Sequence, residues 1–143
     1  MRKSIWIFSI IAALVLLVAM VVKVEFVHYF EYPSLTFCSA VRILGMKLFA
    51  QRRETFLSEY ISRHRINMKP GPSSHFLHHS KEIGILGIRR TSGGLGNDIS
   101  KFNEAARREK LSDSVILHVL NLLSQGKIAE FQREVWDLYY NLQ

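Results

Sequence analysis

Pro33-Ser34-Leu35-Thr36-Phe37-Cys38-Ser39-Ala40-Val41-Arg42-Ile43-Leu44-Gly45-Met46-Lys47-Leu48-Phe49 holds the apolar spacing on which the fold class turns. Pro33-Ser34 offers a helix start. From there to about Ile66 the chain holds no further Pro and one Gly, Gly45. Phe37, Val41, Leu44 and Leu48 recur at helical spacing, with Cys38, Phe49 and Phe56 beside them. The spacing predicts a long helix that bends or leaves the core near residues 50–53, where Arg52 interrupts the stripe. Its later part, Lys47 to Lys69, carries six basic residues against Glu54 and Glu59. A basic amphipathic helix of this kind reads as a first helix with a wet outer face, or as a surface lying along anionic lipid headgroups.

Upstream lies a run of a different kind. Ile5 to Val22 is eighteen residues without a charge, with Ser9 its one polar residue. At about 1.5 Å per helical residue, it matches the hydrocarbon thickness of a bilayer. Met1-Arg2-Lys3 is the basic flank. A secretory signal has a shorter apolar core and a small-x-small cleavage site, and neither is present here. The run therefore reads as an uncleaved anchor. Trp6 at one end and Phe26, Tyr29, Phe30 and Tyr32 beyond the other suit the headgroup region. Arg2 and Lys3 favour an amino terminus inside and a domain outside the cytoplasm, on the periplasmic face in a bacterium.

Residues 1–32 thus read as a membrane anchor with an aromatic flank, and 33–143 as a single mainly α-helical domain. Residues 23–143 hold seventeen of the nineteen Lys and Arg against twelve acidic residues, a balance of +5. That is too mild for a dedicated nucleic-acid binder, and no nucleic-acid partner is expected. Cys38 is the lone cysteine, so no internal disulfide forms, and a buried thiol on a helix is the expected state.

Downstream, residues 67–98 read as a long irregular loop. It is bounded by Lys69-Pro70-Gly71-Pro72-Ser73-Ser74 and by Thr91-Ser92-Gly93-Gly94-Leu95-Gly96-Asn97-Asp98. Ile83 to Ile88 within it suits a short strand or an extended segment. A short helix follows near residues 98–110. Ser112 then caps a mostly apolar helix through Gln125, with Gly126 as its stop. A last amphipathic helix from about Ile128 places Ile128, Phe131, Val135, Leu138, Tyr139 and Leu142 on one face. These two form a C-terminal helical hairpin.

Chemistry-bearing patterns are sparse. His75-x-x-His78-His79 has a spacing at which imidazoles reach one zinc or copper ion, with Glu82 nearby as a further ligand. The Gly93/Gly94/Gly96 run before a helix suggests an anion site. Yet Ile99 stands where the dinucleotide fingerprint needs its last Gly, and no Gly-Lys-Ser/Thr follows. Ser124-x-x-Lys127 lacks the partner motifs of the enzymes that use that spacing. Trp136 and Tyr140, four apart and off the main stripe, are candidate anchors for a partner. The expected function is a non-enzymatic, membrane-anchored interaction or assembly subunit. It needs no cofactor, and its domain docks another protein of the same membrane or envelope. Metal or small-ligand binding at the His75/His78/His79 loop and anionic-lipid contact are the alternatives.

Overall fold

Alternation decides the middle of the chain. In the computed structural model, which describes residues 2–69, 75–109 and 111–141, the stretch read above as one helix folds as two strands and a short helix. The chain opens with α1 (Arg2–Val21), followed by β1 (Val24–Glu31), β2 (Thr36–Ile43), β3 (Met46–Arg53) and α2 (Phe56–Arg63). Then come β4 (His75–Gly84), β5 (Gly87–Thr91), α3 (Gly94–Glu109), α4 (Asp113–Ser124) and α5 (Ile128–Asn141). The five strands form one antiparallel sheet in the order β3-β2-β1-β4-β5. The fold is mixed α/β, which corrects the mainly α expectation.

The physical reason lies in Gly45. Leu44 and Gly45 both have positive φ (52° and 76°), and Ile43 pairs with Met46 across them. A two-residue loop with both φ values positive is the turn whose twist matches a right-handed hairpin. Phe37 and Val41, four apart, satisfy a two-residue period as well as a helical one, and in β2 they share a face of the sheet. The aromatic flank expected beside the anchor, Phe26 to Phe30, is the central strand β1. The expected loop is β4, β5 and the start of α3 over its described residues; Pro70 to Ser74 lie outside them.

α1 is long and apolar enough to cross a membrane, and none of its described residues is buried. α3 packs on one face of the sheet, against β4 and β1 at the end away from α1, with α2 and α5 against α3 and α4 against α5. There Phe30, Tyr32, Leu35, Leu57, Ile99, Phe102, Ile116, Leu120 and Phe131 form the core. Phe102 of α3 meets Phe131 of α5 edge-on, with ring centroids 6.2 Å apart. Thr55 and Ser58 make a reciprocal capping box at the start of α2. The C-terminal hairpin forms as expected. Gly126 has φ 74°, its N–H donates to Leu123 O, and the Lys127 N–H donates to Leu122 O at 3.0 Å, a Schellman ending.

The glycine-rich run has a packing role. A Cβ on Gly96 would lie 2.0 Å from Leu77 O, and one on Gly93 equally close. The missing side chains let the start of α3 rest directly on the β4 backbone.

Candidate functional site

The register sorts the sheet into two unlike faces. On the helix-bearing face, residues pair in rows across the strands. The row nearest α1 is Ile43–Val24–Ile83–Ile88, and the next is Phe49–Val41–Phe26–Lys81–Arg90. A polar row follows, Gln51–Ser39–His28–His79, and then Phe37–Phe30–Phe76, which enters the helix-packed core. The polar row therefore separates the covered core from an uncovered apolar end.

The opposite face carries charge. Arg42, Glu25, Glu82 and Arg89 pair across β2, β1, β4 and β5, so each Glu has an Arg neighbour on one side. Lys23 adds an ion pair to Glu82 at 3.3 Å. Lys47 Nζ donates to Tyr29 Oη at 3.2 Å and stands 5.7 Å from the ring centroid. The His75 ring meets Tyr29 edge-on at 4.9 Å. Glu25, Tyr29, Arg42, Lys47 and His75, together with Ser80 and Thr91, whose hydroxyls are hydrogen-bonded to each other, line an open cleft of about 410 Å³. Further along, Arg52 pairs with Glu31 at 3.4 Å and donates to Thr36 Oγ1 and Ser34 Oγ.

Cys38 is buried on this face, on a strand where the sequence suggested a helix. Its thiol donates toward Glu31 Oε2 at 3.7 Å. Burial, reinforced by that carboxylate, pushes the thiol pKa up. It is protonated at neutral pH and a poor nucleophile.

The three candidate metal ligands stand on a strand. His75 pairs with Glu31 on the open face, whereas His79 pairs with His28 on the helix-bearing face. His78 is the extra residue at a β-bulge between them, set against Phe30 and Phe37 at 5.9 and 6.3 Å. The structure thus brings together His28, His78 and His79, and points His75 away. Among the described residues no group of three or more His, Cys, Asp and Glu side chains is placed to hold a metal ion. His28 stacks on Phe37 and on His79, and its Nδ1 lies 3.0 Å from Ser39 Oγ. Burial lowers the His28 pKa, and the neighbouring His79 lowers it further. Burial also lowers that of His78, against a hydrogen bond with Asn97 that favours its charged form.

Trp136 is 39% exposed, and Lys101 of α3 holds its ammonium 3.9 Å from the indole centroid. Tyr140 falls within α5, but its side chain lies outside the described residues. Sequence reasoning missed Tyr29, Arg42, Lys47 and Arg52 as one surface. The available signal was the pairing of opposite charges once β1 and β2 are aligned through the Tyr32–Leu35 connection. No protein-family model, curated protein or solved structure matches this chain.

Proposed function

We infer that this chain is a single-pass, membrane-anchored, non-enzymatic interaction subunit whose domain lies outside the cytoplasm. It docks another protein of the same membrane through the open face of its sheet. The observation that carries this reading is the contrast between faces. α3 packs on one face of β1 and β4, with α5 and α2 against α3 and α4 against α5, and the opposite face of β1 and β2 is an Arg- and Tyr-bearing surface two residues from α1. Tyr and Arg are the residue types that dominate interface energetics, because they bury large area with few rotors or satisfy several acceptors at once. The balance of +5 beyond the anchor suits a partner with an acidic face. Confinement by the anchor raises the effective concentration, so a weak interface suffices.

The test is site-specific photocrosslinking in intact membranes. A benzophenone at Tyr29 or Arg42 is expected to capture one defined adduct that the same probe at Asp137 of α5 does not. Identical adduct patterns from both surfaces would remove the assignment of the sheet face.

A further inference from the structure

Both two-residue hairpin turns of the sheet lie at one end, opposite the Tyr32–Leu35 connection, and that end is the one joined to α1. Val24 pairs with Ile43 on one side and with Ile83 on the other. Leu44-Gly45 and Ile85-Leu86 therefore project one to two residues past Val24, level with Val22-Lys23, where the apolar run of α1 gives way to charge. At about 3.3 Å per strand residue, the tips fall within roughly 7 Å of the exit of α1 along the strand direction.

These tips have the wrong chemistry for water. Two-residue hairpin loops ordinarily carry Asn, Asp or Gly, which tolerate positive φ and are solvated. Here Leu44 adopts φ 52° with its side chain 57% exposed, and Leu86 is 99% exposed. Ile85 is exposed beside Leu86, and behind the tips Met46, Phe49 and Ile88 are exposed as well, continuous with the uncovered rows of the helix-bearing face. Contiguous exposed apolar surface of this kind marks a site that meets something apolar. Lys23, Lys81, Arg89 and Arg90 ring it, with Glu82 as the acidic neighbour held by Lys23.

We propose that this end of the sheet is seated in the bilayer that α1 spans, with Leu44, Ile85 and Leu86 inserted at the acyl boundary and the surrounding Lys and Arg on anionic headgroups. The occupant is lipid because the patch is continuous with the end of α1 and its rim is cationic. An apolar tip with a basic rim is the pattern of interfacial membrane contact. The sheet would then be held at a fixed height and tilt, since two hairpins and α1 give three points of attachment. This rests on the reading of α1 as a membrane span.

The test reconstitutes the full chain, with Cys38→Ala, into phosphatidylcholine–phosphatidylglycerol vesicles. An environment-sensitive fluorophore is placed singly at Leu44→Cys, Leu86→Cys, Val15→Cys in α1, or Glu54→Cys at the far end of the sheet. Nitroxide on the lipid acyl chains is expected to remove most of the emission at Val15, Leu44 and Leu86 and to leave Glu54 unchanged. Quenching at Val15 with iodide-accessible tips would overturn the proposal while leaving the anchor in place. Tips shielded from iodide yet unquenched by lipid would assign the patch to a protein partner or a second copy, and overturn it equally. An unquenched Val15 would remove the membrane reading of α1 and this inference with it.

Discussion

Gly96 shows how much rests on one absent methyl. An Ala Cβ there would sit 2.0 Å from the Leu77 carbonyl oxygen and 2.3 Å from its carbon, backbone atoms that cannot swing aside. Gly96→Ala is therefore expected to destabilise the domain by about 2 kcal/mol or more, as overpacking against a rigid neighbour does. Gly94, whose nearest atom would be 3.9 Å away, is the control. Gly94→Ala should be neutral or stabilising by up to about 1 kcal/mol through reduced freedom of the unfolded chain. Urea titrations of the detergent-solubilised chain distinguish the two. Burial disfavours the charged imidazoles of His28 and His78 and lowers both pKa values from the ordinary 6.5. The unfolded chain then binds more protons than the folded one as pH falls through 6.5, so stability falls with it until the lowered pKa values are passed. Above about pH 7.5 both forms are neutral and the dependence vanishes. Melting temperature followed from about pH 8 to pH 5 should decline below 6.5, and His28→Gln should flatten the decline. An unchanged slope in that variant would assign the acid sensitivity to other groups.

Among the elements, the β2–β3 hairpin carries the most instructive strain. Leu44 occupies a left-handed conformation that costs an L-residue with a Cβ about 1–2 kcal/mol. Leu44→Asn should relieve it and stabilise the domain by about 1 kcal/mol in thermal melts of the detergent-solubilised chain. A loss of stability instead would mean that Leu44 packs where the hairpin needs it. This element also explains what was legible in the sequence. α1 was readable because eighteen uncharged residues admit few other states. α4 and α5 were readable because their apolar stripes are one-sided and Gly126 terminates the first of them. α3 starts earlier than the sequence suggests, since glycines that read as a turn serve close contact with β4. β1 is hidden because large apolar and aromatic residues stand on both of its faces, Phe26 and Phe30 on one and Val27 and Tyr29 on the other, so clean alternation is lost. β4 was hidden by the bulge at His78, which breaks the two-residue period where three histidines suggested a ligand loop. The His75/His78/His79 set was therefore legible as residues but not as geometry, because only pairing shows that His75 and His79 face opposite ways.

Taken together, the chain is an apolar helix joined by Val22-Lys23 to a two-faced sheet, with α3 packed on the part of one face remote from that junction and the other helices gathered on α3 and α5. The short connection ties the sheet closely to the end of α1, so the domain's location follows from the orientation of α1. Arg2 and Lys3 at the start of α1 favour retention of that end on the cytoplasmic side. Docking, interfacial seating and partner choice all depend on this placement. The most direct measurement is protease accessibility of the chain with a carboxy-terminal tag, expressed in a bacterial host, compared between sealed spheroplasts and inverted membrane vesicles. The account predicts a full-length, membrane-bound chain whose tag is digested in spheroplasts and protected in inverted vesicles. Protection in spheroplasts with digestion in inverted vesicles would contradict the orientation, and a shortened soluble chain would contradict the anchor itself.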